Sequence, residues 1–415
     1  MRRSRLVAPA LAAAAALLTG CGAGGPGAGG GKISNNSITL GVLTDLSGVY
    51  ADLAGPNAVA AVQMAVDDYK QKYGDKAVSK NIKVVSADHQ NKPEIANTQA
   101  REMYDRKQVD AIFDVPTSSA ALAVATVAKQ SKKLYFNVGA ATTELSGKSC
   151  NKYTYEWAYD TYMLANGTGT EVTKAGGDSW YLLYPDYAFG QDMLAKFGPA
   201  ITAAGGKVVG KDPTPFPSDN FSTFLLKAAA NNPRPQVLGA LQAGGDLVNL
   251  VKQYQQFKLK DKGIQLAVGL LFDSDIKSIG QQNLAGTMYT SAWFWGLDAQ
   301  SQSWAKRFKA KTGAWPSFDQ AANYSAATHY LEAVQKAGTD KSDAVVKQLN
   351  GTTFSDFFAR HAQIRAADHR VVHDAYLLKV KDPAASTVDG DYSQLVKTIP
   401  AAQAFEPPSA DCHMS

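Results

Sequence analysis

The sequence predicts an α/β protein built as two lobes, each a doubly wound parallel sheet. Three observations lead there. A buried strand, a polar loop and a helix of amphipathic spacing follow one another over residues 38–68. The alternation of short apolar runs with helical periodicity then continues through two successive stretches of the chain. Finally, 415 residues exceed the length at which one hydrophobic core stops growing, so two cores are expected.

The chain opens with Arg2, Arg3 and Arg5, an alanine-rich apolar run from Leu6 to Leu18, and then Leu18-Thr19-Gly20-Cys21. This pattern resembles a bacterial lipoprotein signal. A charged start, a short apolar centre and small residues before the cut mark a signal peptide, and the run is too short to span a bilayer comfortably. Residues 1–20 therefore read as a leader, and cleavage before Cys21 would leave a thiol free to carry lipid. A plain secretory peptide with an incidental cysteine is the alternative. Residues 21–36 are glycine-rich and too poor in apolar side chains to fold, so they read as a tether between lipid and lobe. Gly22, Gly24 and Gly27 match the spacing of a dinucleotide fingerprint, but no strand precedes them and no helix follows.

The first lobe is expected over residues 37–158. Its opening strand ends in polar and glycine residues, and in an open parallel sheet ligands sit outside the carboxyl ends of the strands. The loop from Thr44 to Gly55 should thus line a cleft, with Tyr50 as its most useful side chain. Further strands are predicted at 83–87, 111–114 and 133–137, with helices at 93–106 and 118–132. From 159 to 166 the chain turns aromatic, and a second lobe is expected over 159–289. Its helices are predicted at 164–175, 190–204, 221–230 and 245–257, and its strands at 179–183, 207–209, 237–241 and 265–268. Residues 289–295 are aromatic and extended, and helices at 301–312, 319–337 and 343–349 follow with too few strands for a sheet of their own. They are expected to complete the first lobe over 290–369. A last strand at 374–380 would return to the second lobe within 370–382, and 383–415 reads as an irregular tail carrying Cys412.

Composition narrows the function. The formal net charge is +5, and a leader that removes three arginines brings the mature chain close to neutrality. There is no Lys/Arg stripe with interleaved aromatics, so nucleic acid is not an expected partner. With Cys21 assigned to lipid, Cys150 and Cys412 form an even pair in an oxidising setting, and a disulfide between them is predicted. On the chain-entropy model it would contribute roughly 5 kcal/mol if unstrained. No nucleophile with a base and no metal cluster is apparent, and among the six histidines no pair has zinc-helix spacing. Gly147-Lys148-Ser149 resembles the end of a phosphate loop, but Thr142 stands where its first glycine should be. The chain is therefore read as no enzyme, without cofactor or metal; a hydrolase acting on a small acid is the remote alternative.

Six stretches in order carry a family likeness: Gly41-Val-Leu-Thr-Asp-Leu-Ser-Gly48, Asp114-Val-Pro-Thr-Ser-Ser119, Asn137-Val-Gly-Ala-Ala-Thr-Thr-Glu-Leu145, Tyr159-Asp-Thr-Tyr-Met-Leu-Ala-Asn-Gly167, Pro185-Asp-Tyr-Ala-Phe-Gly190 and Gly244-Gly-Asp-Leu-Val-Asn249. Behind a lipobox, they make the chain similar to type I periplasmic binding proteins of the leucine/isoleucine/valine-binding-protein-like family. The resemblance implies lobes joined by a three-crossover hinge, with crossovers near Tyr159, Thr290 and Arg370, and a solute held between the lobes. It implies an extracytoplasmic monomer, touching the membrane only through its lipid anchor and delivering a small-molecule solute to an ABC transporter permease.

In the family the first lobe grips a ligand carboxylate with a hydroxyl side chain and backbone groups, at positions that correspond to Thr117, Ser118, Ala140, Ala141 and Thr142. Ser118 could open a helix whose free N–H groups favour an anion, and capping and ligand contact can coexist there. Phe189 corresponds to an aromatic contact of the second lobe, with Tyr187 in the same loop; core packing is the other reading of Phe189. Near Leu270-Leu271-Phe272 the amino-acid binders carry a carboxylate for the ligand's ammonium, and this chain has apolar residues instead. An α-amino acid would need another acceptor, Asp273 or Asp246, although Asp246 also reads as a helix cap. Tyr50, Tyr159, Tyr162, Tyr187, Phe272, Trp293, Trp295 and Tyr324 stand at loop ends and crossovers, where they could form an apolar cage, with about half packing the hinge and core, Trp293 and Trp295 among them. The expected ligand contacts are Tyr50, Thr117, Ser118, Ala140, Ala141, Thr142, Tyr162, Tyr187, Phe189 and Phe272. The solute class stays open between an aromatic acid and a branched or hydrophobic amino acid, and the same fold would also serve a ligand sensor reporting to a membrane partner.

Overall fold

The computed structural model describes residues 33–414. The expected leader, the Cys21 expected to carry lipid and most of the expected tether lie outside the described residues. The central strand of the first lobe, Ile38–Thr44 (β1), is buried at all seven positions, because it has a parallel neighbour on each side and helices over both faces. Around it run Ile82–Asp88 (β2), Ala111–Asp114 (β3), Leu134–Asn137 (β4) and Thr154–Glu156 (β5), all parallel in the order β2-β1-β3-β4-β5. The second lobe repeats the plan with Ser179–Pro185 (β6), Lys207–Thr214 (β7), Val237–Ala240 (β8) and Gln265–Val268 (β9), parallel in the order β7-β6-β8-β9. β6, at its centre, is again buried throughout.

After Met288–Ser291 (β10) the chain forms the helices Ala299–Thr312, Phe318–Ala337 and Ser342–Leu349. The first two pack on the helix Gly55–Tyr73 beside β1. Arg307 pairs with Asp68 at 2.5 Å and Lys72 with Glu332 at 2.8 Å, over a seam where Ala61, Ala65, Ala326 and Ala333 allow close approach. A small antiparallel sheet of Thr353–Phe354 (β11), Ala362–Ile364 (β12) and Val371–Val372 (β13) follows. Ala375–Val380 (β14) then runs between β10 and Ser393–Ile399 (β15), antiparallel to both. β15 corrects the expectation of an irregular tail: it is held by pairing to β14 with its side chains largely exposed, so it carries no hydrophobic period to read.

The chain passes between the lobes after β5, after β10 and after β13, and these passes are tied to each other. Arg370 is fully buried; it donates to the Tyr159 carbonyl at 3.0 Å and lies 3.1 Å from Glu156 and 3.4 Å from Asp160. The tail then recrosses the hinge, with Phe405 4.4 Å from the Arg370 guanidinium, and ends in a disulfide between Cys412 and Cys150 with Cα atoms 5.5 Å apart.

Candidate functional site

The carboxyl ends of both parallel sheets face one another, and the loops that leave them form a cleft. β1 supplies Tyr50 and Leu53, β3 supplies Pro116, and β4 supplies Gly139 and Ala141, while Tyr159 comes from the first crossover. The second lobe adds Tyr187 and Phe189 after β6, Ala243 after β8, and Leu270 and Phe272 after β9. No ionised side chain belongs to this lining. The walls meet so closely that about 10 Å³ of cavity is left, the threshold for a single water. The lobes are shut.

Each wall has a local cause. Asp45, buried at the end of β1, accepts the N–H groups of Gly48 at 2.7 Å and Tyr50 at 2.8 Å, which turns the loop back and presents Tyr50. After β3, Asp114 and Val115 both hold positive φ, +80° and +64°, a strained pair for non-glycine residues. Asn323 Nδ2 bridges Asp114 at 3.3 Å and Asp319 at 3.1 Å beneath this loop. Burial raises Asp114 to about 6, and burial together with the neighbouring Asp114 charge lifts Asp319 well above the carboxylate range, behind Gly139 and Pro116. On the second lobe Asp275 accepts the Phe272 N–H at 3.0 Å and fixes the turn that carries Phe272.

Three ties join the lobes across the cleft. The hydroxyls of Tyr50 and Tyr187 stand 2.7 Å apart, Gly245 N–H donates to the Val49 carbonyl at 2.9 Å, and Asp192 accepts from Thr143 N–H at 2.7 Å and Thr143 Oγ1 at 3.0 Å. Burial pushes both phenols well above the ordinary tyrosine value, so each stays protonated. Phe216 backs the tyrosine pair, 4.2 Å from the Tyr187 ring and 5.6 Å from Tyr50, and Phe272 stacks at 4.7 Å on Phe318 of the other lobe.

Of the residues singled out from sequence, Tyr50, Ala141, Tyr159, Tyr187, Phe189 and Phe272 line the cleft. Thr117 and Ser118 lie just behind it: Thr117 bonds the Asn91 side chain, and Ser118 Oγ is buried with no hydrogen-bond partner among the described residues. Thr117, not Ser118, holds the cap position of the helix Ser118–Ser131, and its side chain makes no cap hydrogen bond. Ala140 has both backbone groups tied to the Asn137 side chain, and the Thr142 hydroxyl accepts from Glu144 N–H at 3.3 Å. Tyr162 is outside the lining; the helix Thr161–Leu164 carries it to the half-buried surface, 6.0 Å from the Lys196 ammonium. Asp246 caps no helix but accepts the Ser218 N–H at 3.1 Å, and burial raises it to about 7. Asp273 lies in a neighbouring groove with Asp52 and Lys277, and burial raises it to about 7 as well. Leu53 lies in the loop expected to line the cleft and Leu270 in the stretch compared with the amino-acid binders, whereas Pro116, Gly139 and Ala243 were not foreseen as lining residues; only their places just after strands could have marked them. Phe216, on the loop after β7, had no such signal.

Two parallel-sheet lobes on a triple crossover, shut over an apolar cleft, define a clamshell binding protein. Residues 37–386 match the family model described as periplasmic binding protein, and the chain belongs to that family. A periplasmic binding protein from Burkholderia mallei is 42% identical, with a TM-score of 0.85 over 89% of this chain and 96% of its own. A branched chain amino acid ABC transporter periplasmic ligand-binding protein from Burkholderia xenovorans LB400 is 38% identical, with a TM-score of 0.79 over 90% of this chain and 100% of its own. Leu/Ile/Val-binding protein homolog 6 of Brucella melitensis is 27% identical over 256 residues, 61% of this chain. The chain spans 63% of the length of that curated relative. These relatives are binding proteins, not enzymes.

Proposed function

We propose that this protein captures a small organic carboxylate with an aromatic or branched apolar body and delivers it to the permease of an ABC importer, from a lipid anchor on Cys21. The observation that carries this reading is the lining itself: aromatic and aliphatic walls from both lobes, with no ionised side chain. Beside it, the N-terminal turn of the helix Ser118–Ser131 and the unpartnered Ser118 hydroxyl suit the carboxylate. An ammonium buried among these walls would lose several kcal/mol, which favours an aromatic acid. A hydrophobic amino acid is the second reading, supported by the name of the Burkholderia xenovorans relative and by Asp246 and Asp273 near the cleft.

Capture would work by closure. An open form in equilibrium with the shut form is pulled toward it by a solute that touches both walls, and the permease reads the shut shape. A thermal-shift scan of the domain from residue 37 onward against aromatic acids, hydrophobic amino acids, sugars and amides tests the reading. A true ligand at about a hundredfold over its dissociation constant adds roughly 2.7 kcal/mol. Stabilisation by sugars or amides alone would refute it.

A further inference from the structure

We propose that Gly244 is the positioning residue of closure: its missing side chain is the space into which the first lobe's Val49–Tyr50 corner docks. The inference rests on reading the cleft as a solute site that shuts over its ligand.

The corner sits on the first turn of the second lobe's helix Gly244–Gln256. Gly244 holds φ +55°, and a Cβ added there would lie 2.5 Å from the Val49 carbonyl oxygen, 2.8 Å from Tyr50 Cδ1 and 3.1 Å from Leu53 Cδ2. The first two are closer than nonbonded atoms tolerate, and the worst clash is with backbone, which has no rotamer to escape into. That carbonyl is also held, because it accepts the Gly245 N–H at 2.9 Å. All three nearest atoms belong to the other lobe. A side chain at 244 therefore collides only when the lobes meet, and in an open form it meets none of these atoms.

The collision reaches the solute site directly, since Tyr50 and Leu53 both line the cleft. Moving the corner outward carries the Tyr50 hydroxyl away from Tyr187, from which it stands 2.7 Å. The next residue is a built-in control. A Cβ on Gly245 would meet Val49 atoms at 3.4–3.5 Å, ordinary van der Waals contact. Two adjacent glycines thus differ in space, since only the first leaves no room for a methyl group in the shut form, and in φ, which is positive only at Gly244.

Closure can be read without knowing the solute. Thr143→Cys with Asp192→Cys places two thiols where Thr143 Oγ1 and Asp192 Oδ1 are 3.0 Å apart across the lobes, and the rate of linking by a short thiol-to-thiol reagent then follows the shut population. In that background Gly244→Ala should slow linking about tenfold or more, and Gly245→Ala should leave it within about twofold. Gly244→Asn, which tolerates a positive φ, should slow it as Gly244→Ala does, separating the clash from backbone strain. Melting of each unlinked variant confirms that the fold is intact. Equal linking rates for Gly244→Ala and Gly245→Ala would overturn the inference, as would a parent pair that never links. A protein that links normally but is stabilised by no carboxylate would refute the solute reading and leave the role of Gly244 in closure standing.

Discussion

Replacing Arg370 with Met should cost the protein about 3–5 kcal/mol, the range for breaking a buried ion pair from one side. The guanidinium is wholly buried where the crossovers meet; Glu156, Asp160 and the Tyr159 carbonyl surround it, and Phe405 stacks over it. Methionine keeps much of the volume but leaves two buried carboxyls without their counter-charge and the Tyr159 carbonyl without its donor. Burial already pushes Glu156 up while Arg370 pulls it down, so without the arginine the carboxyls protonate rather than stay charged. The loss should therefore be smaller at pH 5 than at pH 8. Against a typical total of about 5–15 kcal/mol, it is roughly a fifth of the stability or more. Urea unfolding followed by tryptophan fluorescence measures it, with the slope checked for separate unfolding of the lobes. Arg370→Lys should recover only part, since one ammonium cannot replace a planar fork. Adding Glu156→Gln to the Met variant should give some stability back. A loss below about 1 kcal/mol, or the same loss at both pH values, would refute the reasoning.

Tyr187→Phe removes the hydroxyl contact to Tyr50 and leaves a buried phenol unpaired in the shut form, a cost of about 1–3 kcal/mol. Calorimetry should show solute binding weakened roughly five- to 150-fold, with melting of the unliganded protein little changed. Asp246 is raised to about 7 by burial, so the folded state holds its proton more tightly than the unfolded chain. Its stabilisation is complete below the unfolded carboxyl pKa of about 4 and is lost as pH rises through 7, up to about 4 kcal/mol for a shift of about three units. Melting temperature should thus fall between pH 5 and pH 8, and Asp246→Asn should flatten that fall. Cys412→Ser opens a bridge between residues 262 apart and should cost about 2–5 kcal/mol, read as a lower melting temperature that reductant reproduces in the parent.

What could be read from sequence was what burial imposes on both faces of an element. β1 and β6 announce themselves because parallel strands inside a sandwich of helices need apolar side chains almost throughout. β15 and the two-residue strands β11 and β13 do not, because edge pairing to a neighbour leaves little periodicity. The cleft shows the same divide. Tyr50 and Tyr187 were legible as large side chains on loops that leave strand ends. Gly139 and Pro116 were not, because they contribute backbone over Asp114, which Asn323 and Asp319 from a distant helix meet from beneath. Tyr162 drew attention as an aromatic at a crossover, but the helix capped by Asp160 rotates it away from the cleft. Phe216 stacks on Tyr187 from a separate loop of the same lobe and reaches Tyr50 only when the lobes meet, contacts that no local window contains.

The central claim is that a small carboxylate is held by closure of the two lobes upon it. Small-angle scattering of the domain from residue 37 onward, titrated with benzoate, phenylacetate, leucine and valine, tests it most directly. One of these carboxylates should compact the protein at the same concentrations that raise its melting temperature. Stabilisation without compaction, or a particle that none of the four compacts, would contradict it.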